Sequence, residues 1–214
     1  VAHERRILSV EEILGAEVAE EELTDPSAAY VVLTPRALSL LSLMECRDQL
    51  ERRGENSLLL GLAAKSAHLA MHAALVDALA GSAGIGAFPP NLRKKWLTYF
   101  NARDDETAAP ADDWVMSFND LLNRATTHPL EWTGQPLNVT QSDLAALKRL
   151  TYIRHRVEHP RPISHLIAPE LITETLPIAA RLTLKILDTA RHQLEPIERQ
   201  IAEAAVTAIS QHCS

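Results

Sequence analysis

The sequence predicts an all-α protein, and three observations carry that expectation. Its composition is 46% hydrophobic and 23% charged, with seven glycines and 4% aromatics, the balance of a soluble, Ala/Leu-rich helical chain with an aliphatic core. Helix start and stop signals recur, a capping residue or proline before apolar residues at three- and four-residue spacing and a glycine or proline after them. No stretch alternates as a half-buried strand does, and Val31-Val32-Leu33 is too short to found a sheet. At 214 residues the chain suits one domain with one sizeable core.

Residues 1–30 read as an acidic N-terminal arm. Ile7, Leu8, Ile13, Leu14 and Val18 have helical spacing with glutamates between them, and Asp25-Pro26-Ser27 ends the pattern. Such an arm packs on its own core or on a second subunit. Residues 31–214 form the expected helical domain. Thr34-Pro35 starts a helix and Arg53-Gly54 stops it, with Leu38, Leu41, Met44 and Leu50 as its inward stripe. Asn56 can cap the next helix, which runs to Gly81 with Leu59, Leu60, Leu62, Ala63, Leu69, Ala70, Ala73 and Leu79. It is the most apolar helix and the expected centre.

The run Gly81-Ser82-Ala83-Gly84-Ile85-Gly86 lacks the preceding strand and the Lys-Ser/Thr ending of a phosphate-cradling loop, so it reads as a connection. A helix follows over residues 91–101, with Arg93, Lys94 and Lys95 in its first half and Trp96, Tyr99 and Phe100 in its second. Two readings stay open there. Cations among aromatics can hold a single strand of nucleic acid, or Trp96 and Phe100 can pack inward with the cations in water.

A further helix is expected over 112–125 around Trp114, Val115, Phe118, Leu121 and Leu122, then a loop holding Pro129, Gly134 and Pro136. Ser142 can cap the following helix, with Leu144, Leu147, Leu150 and Ile153 inward. The last helix begins near Pro169 and continues through Leu171, Ile178, Leu182, Leu184 and Ile186, bent or interrupted at Pro177 and Pro196.

A net charge of −7 argues against broad coating of nucleic acid and leaves room only for local contact. Cys46 and Cys213 make neither a disulfide framework nor a metal spacing. No apolar run follows the N-terminal Val-Ala-His-Glu-Arg-Arg, and Leu58 to Ala80 is broken by Lys65, His68, His72 and Asp77. The expectation is a cytoplasmic, soluble protein with no membrane partner.

Chemistry concentrates in Arg154-His155-Arg156-Val157-Glu158-His159-Pro160, at the end of the helix beginning near Ser142. Proline disfavours the α conformation in the residue before it, so the helix is expected to end near Glu158, with His159 free to turn back toward Arg154. Arg154 and Glu158, four apart, can pair. An imidazole that titrates near neutrality beside a phosphate-gripping guanidinium suits cleavage of RNA by its own 2′-hydroxyl, a reaction that needs no metal.

At these residues the sequence resembles the HEPN superfamily, helical proteins named for higher eukaryotes and prokaryotes nucleotide-binding. The superfamily's signature is Arg, a polar residue, three further residues and His, and Arg154 to His159 fits every position. Gly61 to Leu69 looks like the family's central helix, and the resemblance spans about residues 35 to 195, although only the six-residue motif is specific. It implies a bundle of four to five core helices with short flanking helices, usually a homodimer whose two motifs face one composite cleft. Active members are metal-independent ribonucleases, often toxins held by an antitoxin or effectors of defence; others are silent binding modules. On that analogy Arg154 orients the phosphate, His159 is the acid/base and His155 shapes the site, with no cofactor. Arg156 and Arg161 add a local basic patch for RNA.

Two plainer readings stand beside it. Arg154, Arg156 and Glu158 can form a solvated, salt-bridged face with His159 capping the helix end. His68 and His72, four apart, can supply half of a metal site, completed by His159 or His165. No carboxylate stands where a metalloprotease helix would need one.

Overall fold

The computed structural model describes residues 33–102, 111–159, 166–190 and 194–214, and it is all-helical. Its elements are α1 (Pro35–Glu51), α2 (Leu59–Ala80), α3 (Pro90–Asn101), α4 (Phe118–Thr127), α5 (Gln141–Glu158), α6 (Pro169–Thr173), α7 (Leu176–Leu187) and α8 (Pro196–His212). All eight lie in one compact unit, Pro35–Ser214. The N-terminal arm, Pro160, Arg161 and His165 lie outside the described residues.

The apolar helix is central, as expected: α2 packs against α1, α4, α5, α6 and α7. Seven of its alanines, including Ala63, Ala67, Ala70 and Ala74, are buried. Side chains that small let several neighbours approach one axis closely. By length and composition α2 could also cross a membrane, but 61% of its apolar window is buried within the bundle. Polar ties fix α1 on it, from Ser39 Oγ to the Ala70 carbonyl (2.8 Å) and from Ser66 Oγ to Gln49 Oε1 (3.1 Å). Behind this layer, α8 packs on α1 and α7 through Ala202, Ala205 and Ile209.

Several expectations shift. On α1 the buried stripe is Ser39, Leu43, Cys46 and Leu50, while Leu38, Leu41 and Met44 are only half-buried. Every third or fourth residue of this helix is apolar on more than one face, so periodicity alone does not choose the face. The helix after residue 112 starts at Phe118, with Ser117 as its cap, and Trp114 in the preceding segment is 54% exposed. The cap of α5 is Thr140, two residues before Ser142. Thr140 Oγ1 accepts from the Asp143 N–H and Asp143 Oδ2 accepts from the Thr140 N–H, both at 3.1 Å.

The single last helix is three. Pro169, Pro177 and Pro196 each sit in the first turn of a new helix, where the missing N–H has no intrahelical partner to lose. The prolines therefore start helices rather than bend one. On α3 only Leu92 is buried. Its rings form a partly exposed cluster with Phe88, in which Trp96 lies 6.1 Å from Phe88 and 5.5 Å from Phe100 between centroids. Trp96 Nε1 donates to the Asp112 carbonyl at 2.8 Å.

Candidate functional site

The motif sits where α5 ends. The helix is anchored at its start by the Thr140–Asp143 box and by an ion pair from Arg181 of α7 to Asp143 (2.6 Å). Burial works to raise the Asp143 carboxyl, but the Thr140 hydrogen bonds and the Arg181 charge outweigh it and hold it below the usual carboxylate range. The inward face carries Leu147, Leu150 and Ile153, all 2% exposed or less. Near its end α5 runs close to α2, where a Cβ added to Gly61 would stand 3.2 Å from Val157 Cγ2. A glycine at that crossing brings the last turn of α5 against the first turns of α2.

The helix ends at Glu158 with His159 as its C-cap (φ −119°, ψ 72°), in line with the effect of Pro160 on the residue before it. The His159 N–H still donates to the His155 carbonyl, at 3.1 Å, so His159 prolongs the helical path. Its ring accordingly lies against His155, with centroids 4.8 Å apart. Both histidines are exposed.

Arg154 occupies another face. It pairs with Glu158, the partner expected from their four-residue spacing, and its charge is felt by His68 and His72 on α2. Five residues separate Arg154 from His159, about 140° around a helix axis. On a straight helix the two positions therefore belong to different faces. Arg156 lies over the Tyr152 ring, 4.9 Å from its centroid. That contact places a second cation beside the histidine face.

His68 and His72 behave as packed histidines. His68 is 4% exposed, with its ring 4.3 Å from Phe118. Burial first, then the charges of Arg154 and His72, push its imidazole down to about 4. His72 is lowered mainly by burial, against a hydrogen bond with the Met116 backbone. Among the described residues no three His, Cys, Asp or Glu side chains are grouped as metal ligands. The sequence places these two histidines on one helix face, but their proximity to Arg154 depends on how α5 packs on α2.

Compared with family models, curated proteins and solved structures, the chain finds no match.

Proposed function

We propose that this protein is a metal-independent endoribonuclease that acts as a homodimer, with Arg154 of one chain and His159 of the other meeting at a shared cleft. The observation that carries this reading is the helix end itself, where the exposed rings of His155 and His159 lie together and Arg154 is turned to Glu158. A single chain offers the two halves of the chemistry on different faces, and a twofold axis beside the end of α5 would bring opposite halves together. Each protomer would then contribute to both sites.

In such a cleft His159 takes the proton of an RNA 2′-hydroxyl, and the 2′-oxygen bonds to the adjacent phosphorus. The 5′-oxygen leaves with a proton returned by an imidazolium, giving a 2′,3′-cyclic phosphate and a 5′-hydroxyl end. Arg154 neutralises charge on the non-bridging oxygens as the fifth bond forms. His155 holds the His159 ring in place, and Arg156 and Arg161 contact neighbouring phosphates. The resemblance of Arg154 to His159 to the HEPN signature supports the same assignment, and the toxins of that superfamily point to an antitoxin or regulatory protein as a further partner.

A second reading has its own observation. Glu158 already occupies the Arg154 guanidinium, which suits a catalytically silent HEPN-like binding module whose helix end is a salt-bridged surface.

The test is cleavage of RNA by purified protein in EDTA. Wild type should cut, and Arg154→Ala and His159→Ala should each lose at least about 100-fold, the usual scale for a positioned acid/base or charge-stabilising group. Mixing the two inactive variants should restore roughly a quarter of wild-type activity, since half of the dimers are mixed and each mixed dimer has one intact site of two. Cleavage that persists in both variants, or that appears only with added metal, overturns the mechanism. Failure of the mixture to recover activity overturns the shared cleft. Stable capture of a partner protein by a chain that cuts nothing favours the silent module.

A further inference from the structure

Some 20 residues along α2 from the Gly61 crossing, and so about 30 Å away at 1.5 Å per residue, the other end of the helix borders a cavity of 280 Å³. The loop from Gly81 to Gly86 forms one wall, α3 contributes Arg93 and Leu97, and Arg124, His128 and Leu130 come from α4 and the segment after it. We propose that this cavity binds a phosphoryl group, in the form of a phosphate monoester on a ligand the size of a mononucleotide.

Two arginines meet at this cavity without a carboxylate between them. Arg36, Arg47, Arg52, Arg154, Arg181 and Arg199 each pair with a carboxylate. Arg93 and Arg124 have no carboxylate partner among the described residues, although both line one cavity. Arg124 is half-buried. Its guanidinium is held below the usual range by that burial and by the neighbouring charge of Arg93. Two guanidiniums facing one space repel each other, and a dianion between them removes the repulsion. Planar forks with several donors match the oxygens of phosphate better than a single point charge does.

Among the described residues the one carboxylate in the lining, Glu131, is turned to the loop, where both of its oxygens accept from the Ser82 N–H at 3.2 Å. That arrangement depends on glycine. Gly81 has φ +68°, and a Cβ there would stand 2.4 Å from Glu131 Oε2; a Cβ on Gly86 would stand 1.9 Å from the Leu79 carbonyl oxygen. The loop thus folds tightly back on the end of α2, with Glu131 on the loop side of the cavity. Leu79, Ile85, Leu97 and Leu130 supply apolar lining. The volume is near the lower end of the roughly 300 to 1,000 Å³ typical of small-molecule sites, which allows for a phosphate with one small organic body. Free nucleotides and the 5′-phosphorylated end of an RNA both present that group.

Titration calorimetry of the full chain with adenosine 5′-monophosphate, adenosine, a 5′-phosphorylated trinucleotide and its 5′-hydroxyl counterpart tests the site. The monophosphate should bind once per chain, at least tenfold tighter than adenosine. Arg93→Gln and Arg124→Gln should each weaken it tenfold or more, while their ligand-free melting temperatures stay level or rise as the mutual repulsion is relieved. Arg124→Lys should fall between Gln and wild type. Equal affinity for the monophosphate and the phosphorylated trinucleotide assigns the site to free nucleotides; a tenfold preference for the trinucleotide assigns it to RNA ends. The proposal is overturned if neither phosphorylated ligand saturates, if adenosine binds as well as its monophosphate, or if binding survives in both glutamine variants. Because adenosine monophosphate has no internal RNA linkage to cut, the result is separate from the ribonuclease reading.

Discussion

Replacing His68 with leucine should remove much of the protein's sensitivity to mild acid. In the fold His68 is buried against Phe118, beside His72 and within the field of Arg154. Burial chiefly, then those two neighbours, bring its pKa from 6.5 down to about 4. Above about pH 6.5 the imidazole is neutral in both folded and unfolded chains and stability does not depend on it. As the pH falls through 6.5 the unfolded chain takes up a proton that the fold resists, so stability is lost until about pH 4, where both states are protonated. A separation of about 2.5 pH units at 1.36 kcal/mol each gives a total of about 3 kcal/mol, most of it gone by about pH 4.5. Since His72 is lowered as well, it adds to the loss in the same window. Urea unfolding of wild type and His68→Leu at about pH 7 and about pH 4.5 measures the effect, because other titrating groups largely cancel between the two proteins. Wild type should lose about 2 to 3 kcal/mol more than the variant over that interval. Equal losses would refute both the neutral, buried state of His68 and the packing that puts Arg154 beside it.

Two other perturbations follow from the same geometry. Glu158→Gln frees the Arg154 guanidinium from its ion pair; RNA affinity, followed by fluorescence anisotropy, should rise severalfold if Arg154 holds phosphate, and should not change if the pair is only a surface contact. Gly86→Ala forces a Cβ to within 1.9 Å of backbone oxygen and should destabilise by about 2 to 4 kcal/mol. Gly61→Ala meets only the movable Val157 side chain at 3.2 Å and gains helix propensity of about 1 kcal/mol, so its melting temperature should stay near that of wild type.

Part of the candidate site is legible in the sequence. Four-residue spacing leads to the Arg154–Glu158 pair, and the proline rule locates the end of α5, because both depend on chain-local geometry. The place of the His159 ring was not legible: its N–H keeps a hydrogen bond to the His155 carbonyl, and the ring lies against His155. The Arg93–Arg124 cavity is only half legible: Arg93 belongs to the basic and aromatic pattern of α3, but Arg124 lies 31 positions further on in a separate helix and stands in no motif.

By itself the sequence determined the helical class, the central place of α2 and the inward face of α5, since these follow from local propensity, from a helix that is apolar on nearly every side and from leucines and isoleucine at three-residue spacing. Weak periods left the face of α1 undecided, and only packing against α2 chose Ser39, Leu43, Cys46 and Leu50. Proline chemistry ruled out an unbroken last helix, but the arrangement of α6, α7 and α8 depended on which segments could bury their apolar sides. Tertiary structure alone put His68 near Arg154 and brought two arginines to one cavity, because contacts between distant residues arise from the way helices cross and leave no periodic trace in the chain.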